Sequence, residues 1–238
     1  MTMRILSCVT LTLALAALTG PAQAFIIDSF DDNQLVSSDS GTPVDTNSAG
    51  GGMIGGNRVM TSNWTSGANS VDAEVNAGSS SLLNVSIGAD TLGTVDVIYD
   101  GGGGGFAPTD FTVGGTLNSI AVEIPFDDLP VDIEIVALSL TGSSSLTENP
   151  GGGIFAPTPL PFLFSNFSTT SGTGADFTAI TGLEIHITPL FGGTDLQVDF
   201  IETTFTPVVP EPSTYATALM GLMGLVGIGL MIRRKRQE

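Results

Sequence analysis

Apolar residues recur at every second position through the middle of this 238-residue chain. Leu83, Val85 and Ile87 alternate with Asn84 and Ser86; Val131, Ile133 and Ile135 alternate with Asp132 and Glu134; Leu183, Ile185 and Ile187 alternate with Glu184 and His186. A period of two places one set of side chains on a core and the other in water, the pattern of a half-buried β-strand. After Ile135 the apolar phase slips by one, to Val136, Leu138 and Leu140, which predicts a bulge or a crossing between sheets. Further strands are expected near Phe25–Phe30, Asn57–Ser62, Val71–Asn76, Thr94–Tyr99, Thr116–Ile124, Phe162–Phe167 and Asp195–Phe205. Glycine-rich or acidic turns separate them at Gly50–Gly52, Gly101–Gly105, Asp127-Asp128, Asn149–Gly153 and Gly192-Gly193. No amphipathic helix of useful length interrupts the series. The pattern predicts an all-β fold, an antiparallel β-sandwich of jelly-roll type with about ten strands.

Two uniformly apolar runs flank this region and read as targeting segments. Residues 1–24 have a basic start at Arg4, an apolar stretch Ile5–Leu18, and small residues at Ala22 and Ala24, which predicts a signal peptide cut before Phe25 by signal peptidase after passage through the secretion machinery. The one cysteine, Cys8, lies inside it, so the mature chain is expected to have none. Tyr215–Ile232 carries no charge over 18 residues. At 1.5 Å per residue such a helix spans ~27 Å, close to the ~30 Å hydrocarbon core of a bilayer. Arg233, Arg234, Lys235 and Arg236 follow at once, a cytoplasmic stop that leaves everything upstream outside. The expected organisation is therefore a signal peptide (1–24), an extracellular β-sandwich (25–207) and a C-terminal segment (208–238) with a transmembrane helix at 215–232 and a basic tail at 233–236.

Before the apolar run stands Pro210-Glu211-Pro212. Two prolines keep the backbone extended and remove hydrogen-bond donors, so a protease would meet an open strand there. Pro-Glu-Pro, a hydrophobic span and a short arginine-rich tail, together with a signal peptide, resemble the PEP-CTERM sorting signal of exopolysaccharide-producing Gram-negative bacteria. The resemblance implies recognition and processing at Pro210, Glu211 and Pro212 by an exosortase, a membrane-embedded cysteine protease or transpeptidase. It also implies an inner-membrane-anchored precursor that ends at the cell surface or in the extracellular matrix, among exopolysaccharide and biofilm components.

Charge narrows the chemistry of the middle. Between Phe25 and Pro210 there is one arginine, Arg58, against 22 acids, a formal charge of −21. Nucleic acid is thereby excluded as a partner, because phosphate binding needs a basic patch. One histidine and one cysteine exclude thiol or multi-histidine metal sites. The opening Phe25-Ile26-Ile27-Asp28-Ser29-Phe30-Asp31-Asp32 and closing Leu196–Ile201 resemble the first and last strands of galactose-binding-like jelly rolls, which often join their ends around a structural calcium. Calcium takes six to eight oxygen ligands, and Asp28, Asp31, Asp32 and Asp199 offer some of them if the termini meet; solvated acids that keep a secreted protein soluble are the other reading.

Catalytic residues are scarce. His186 is the only imidazole, set on the polar side of a strand, and no Gly-x-Ser-x-Gly elbow is present. Carboxylate pairs for glycoside hydrolysis exist by number, but one tryptophan, Trp64, and one tyrosine, Tyr99, make a poor sugar cleft in residues 25–207. Trp64 itself reads either as a sugar-stacking platform or as a cap on the core. The expectation is a non-enzymatic exported protein; the alternative is a carbohydrate- or calcium-binding module, followed by a secreted glycoside hydrolase.

Overall fold

The computed structural model describes residues 24–207 apart from residues 77 and 79. The expected signal-peptide residues before Ala24 and the whole 208–238 segment, with its motif and expected transmembrane helix, lie outside the described residues. Among the described residues no helix is long and apolar enough to cross a membrane.

Alternation of branched and polar residues yields antiparallel strands throughout. One layer is a seven-stranded sheet in the spatial order β13 (Ser168–Gly172), β11 (Gly142–Glu148), β10 (Val131–Ser139), β14 (Ile180–Pro189), β7 (Leu92–Tyr99), β4 (Arg58–Ser66) and β3 (Val44–Ala49). The remaining strands form a four-stranded sheet, β1 (Phe25–Asp28), β16 (Ile201–Thr204), β8 (Ser119–Ile124) and β12 (Thr158–Leu163), and a five-stranded one, β2 (Gln34–Ser38), β5 (Val71–Val75), β6 (Leu83–Ile87), β15 (Asp195–Val198) and β9 (Phe126–Asp127). These two are continuous through kinks, since β8 runs into β9 across Pro125 and β15 into β16 across Asp199-Phe200. Backbone bonds close the kink: Glu123 N–H donates to Phe200 O and Asp199 N–H to Glu123 O, each at 3.0 Å. The first and last strands pair, with Phe25 opposite Thr203 and Ile26 opposite Glu202.

Inward positions from all three sheets make one core. Ile133, Ile135, Val95, Val97 and Ile185 meet Ile120, Val122, Val85, Phe162 and Ile201, all buried. The edge strand β12 carries Pro159 and Pro161, opposite Glu123 and Ala121 of β8. Lacking N–H groups, those prolines keep the edge from templating another strand.

The irregularity expected after Ile135 comes three residues later, where the β10–β14 register shifts between Leu138 and Ser139, opposite Gly182 and Ile180. β10 stays in unbroken pairing with β14 from Val131 to Leu138, and its inward set continues with Ala137. Val136 and Leu138 instead face outward, half-buried, while Leu140 is exposed beyond the strand. Sequence periodicity therefore marked an aliphatic patch on the outer face of the seven-stranded sheet.

Candidate functional site

The outer face of that sheet is polar and acidic. Alternate residues of β4, β7, β14 and β10 project there, and pairing aligns Thr61, Asp96, His186 and Glu134 in a row across the four strands. His186 sits between two carboxylates: Nδ1 lies 2.8 Å from Asp96 Oδ1 and Nε2 lies 3.2 Å from Glu184 Oε2. Asn63 Nδ2 donates to the other Asp96 oxygen at 3.0 Å. The hydrogen bond to Asp96, then that to Glu184, raises the His186 pKa to about 10 against partial burial. The ring is thus an imidazolium at neutral pH with both N–H groups donating. It has no lone pair for a metal or for a serine proton.

A pH dependence follows. Because the folded value is raised, the stability contributed by His186 is complete below its unfolded pKa of about 6.5 and is lost as pH rises through about 10. With these side chains about a quarter to a third exposed, solvent screening reduces the contribution to about 1–2 kcal/mol. Urea titrations should show the gap between wild type and His186→Gln closing from pH 7 to pH 10.

Beside Glu184 the face opens into a cavity of about 390 Å³, bordered by Ile98, Asp100, Leu138, Gly182, Glu184 and the glycine loop that follows β7. Gly182 is opposite Leu138, and Glu184 is opposite Ile98, so strands β7, β14 and β10 build its floor.

The expected calcium ligands do not assemble. Asp28 is buried and holds Arg58, the one arginine between Phe25 and Pro210, with Nη1 to Oδ2 at 2.7 Å. Tyr99 donates its hydroxyl to the same oxygen at 2.8 Å, and the Phe30 amide donates to Oδ1 at 2.8 Å. Arg58 Nε donates to Gln34 Oε1 at 2.7 Å and Nη2 to the Asp32 carbonyl at 2.8 Å, with the Phe30 ring 5.4 Å from the guanidinium carbon. Burial, then the Asp28 charge, pushes the Tyr99 phenol well above its ordinary pKa, so it remains a donor. Asp31 is exposed and accepts from Ser29 and Ser81, the Asp32 carboxylate accepts from the Gly52 amide, and Asp199 lies at the β15–β16 kink. Among the described residues no group of three His, Cys, Asp or Glu side chains is arranged to hold a metal ion. The physical reason is that Asp28 is already engaged by the Arg58 guanidinium and points into the core, away from the exposed Asp31.

Trp64 follows the inward phase of β4 and packs against the core, with Nε1 buried and without a partner, away from the polar face. Ala24 and Phe25 begin the described body, Phe25 as the first residue of β1. Asp127, read in the sequence as part of a turn, forms a bridge with Ile154; its carboxylate is fully buried and neither oxygen has a hydrogen-bond partner. Sequence reasoning assigned no role to Arg58 or Asp127. For Arg58 the signal was available: it occupies the inward phase of a strand, with Met60 and Ser62.

An antiparallel sandwich with a polar sheet face and a cavity is the class of protein the geometry defines. Comparisons with solved structures find distant likenesses. The family 11 carbohydrate-binding module from Clostridium thermocellum, in complex with a β-1,3-1,4-mixed-linked tetrasaccharide, is 13% identical with a TM-score of 0.35, over 74% of this chain and 96% of that one. The family 11 module of the C. thermocellum cellulosomal cellulase Lic26A-Cel5E is 12% identical with a TM-score of 0.40, over 79% and 97%. No curated protein matches the sequence significantly. Residues 208–236 match the PEP-CTERM protein-sorting motif. That signal implies an exported, membrane-anchored precursor processed by exosortase.

Proposed function

We propose that this chain is an exported, non-enzymatic protein of the cell surface or extracellular matrix of a Gram-negative bacterium, associated with its exopolysaccharide and biofilm. The sorting motif at 208–236, downstream of an antiparallel sandwich, is the observation that carries this reading. Signal peptidase removes residues 1–24, the helix at 215–232 holds the precursor in the inner membrane, and exosortase acts at Pro210-Glu211-Pro212. The strong negative charge of residues 25–207 favours a body that stays dissolved outside the cell. The engagement of both His186 nitrogens favours a body without acid–base catalysis.

The test is expression of the tagged chain in strains with and without the exosortase. In the strain with the enzyme we expect a drop in mass and release from the membrane fraction, both abolished by replacing Pro210, Glu211 and Pro212 with alanine. Equal mass and equal membrane retention in the two strains would overturn the proposal.

A further inference from the structure

We propose that the cavity over Gly182 binds a pyranose unit of an uncharged polysaccharide. The inference deepens the matrix reading above and rests on it.

The floor of the cavity carries a glycine, Gly182 of β14, next to the register shift that places Ile180 opposite Ser139. Gly182 lies inside the strand in the same phase as Glu184 and His186, but is itself buried, at the bottom of the cavity. Its φ is outside the left-handed region, and an added Cβ would meet Leu138 Cδ1 at 3.4 Å, Leu138 Cβ at 3.6 Å and Tyr99 O at 3.7 Å, all ordinary contacts. Glycine in a strand interior costs about 0.5–1 kcal/mol relative to alanine, and it recurs where a ligand comes close to the backbone. Here the missing side chain deepens the floor.

The walls match one chemistry. Ile98 and Leu138 are the aliphatic part of the floor, set on an otherwise polar face, and Asp100 and Glu184 stand at the rim. Glu184 Oε2 is oriented by His186. Gly103–Gly105 overhang the space without side chains to fill it. A pyranose has an apolar C–H face for Ile98 and Leu138 and equatorial hydroxyls that donate to carboxylates, which only accept. A uronate or phosphate would face Asp100 and Glu184 with no unpaired cation at the cavity. An ammonium group would lose its hydration over the aliphatic floor. The volume is at the small end for ligand sites and suits one or two sugar units. Tyr99 borders the cavity, but its side chain is buried with its hydroxyl on Asp28, so it offers no ring face to a sugar; affinity per site is then weak, about millimolar, and many copies on one polymer would bind through avidity.

The full chain, held in a detergent without a sugar headgroup and labelled at isoleucine and leucine methyls, is titrated with neutral, uronic-acid and amino-sugar oligosaccharides. Neutral oligomers should shift the Ile98 and Leu138 methyl signals. Gly182→Val should weaken binding roughly tenfold or more without lowering the melting temperature, and Gly182→Ala should weaken it less. No shift with any neutral oligomer, shifts with uronates or amino sugars alone, or unchanged affinity in Gly182→Val would each overturn the site. Exosortase-dependent release is read separately, so its presence alongside a silent cavity overturns the cavity alone, and its absence overturns the sorting role.

Discussion

Replacing Arg58 with methionine should lower the unfolding free energy by about 3–5 kcal/mol, the loss typical when one partner of a buried ion pair is removed. Methionine keeps much of the side-chain volume, so the loss reports charge and hydrogen bonding more than a cavity. Three acceptors lose an Arg58 donor together: Asp28 Oδ2, Gln34 Oε1 and the Asp32 carbonyl, while Tyr99 and the Phe30 amide still donate to a carboxylate that no longer has its countercharge. Asp28→Leu alone should cost a similar amount by leaving the guanidinium unpaired. The double variant should recover part of the sum, because no lone charge is then buried. Urea unfolding of the three variants measures this; a loss under about 1 kcal/mol in Arg58→Met would refute the buried-pair account.

Asp127→Asn should do the opposite and stabilise the protein by about 2–3 kcal/mol at pH 7. Burial, and then the neighbouring Asp128 charge, raises the Asp127 pKa to about 6, with the Gly152 backbone opposing. A raised carboxyl pKa means the fold prefers the protonated form. Its favourable contribution is complete below the unfolded value near 4 and is lost as pH rises through about 6, so at neutral pH the ionised group burdens the fold. Asparagine has nearly the same shape and no charge. The stability difference between variant and wild type should therefore vanish near pH 4 and grow to its full size by pH 7. A difference independent of pH would show that Asp127 does not titrate in this range.

Much of the architecture was legible in the residues because branched apolar side chains alternate cleanly in the central strands. β6, β10 and β14 carry their inward residues where periodicity put them. Strands poor in apolar residues were not legible. β13 is Ser-Thr-Thr-Ser-Gly with every residue exposed, and β11 and β3 are rich in hydroxyls. Such strands are held by a neighbour's backbone and leave no apolar period to read. The single strand expected over Asp195–Phe205 is two, since the chain turns at Asp199-Phe200 to pass from one sheet to the next. β12 begins earlier than expected, at Thr158, because its prolines resemble a linker and are tolerated only at an edge. At the site level, the acids near the start of the chain were visible, but their partner Arg58 comes from β4 and meets them only in the fold. The cavity is a composite of three strands, and its one sequence trace was Leu138, in the wrong phase for the core.

The pairing of β1 with β16 also sets how the body responds to force. Antiparallel neighbours whose free ends emerge side by side are loaded, when pulled apart, like a zipper opened from its slider: one rung breaks at a time and little tension is needed. Here the rungs run from Phe25–Thr203 to Ile26–Glu202 and then reach Asp28, riveted to Arg58 behind it. A tug between the two extremities would peel a few residues cheaply and stall at that rivet, so the mechanical limit of the domain is set by a charge lock rather than by its outermost ladder.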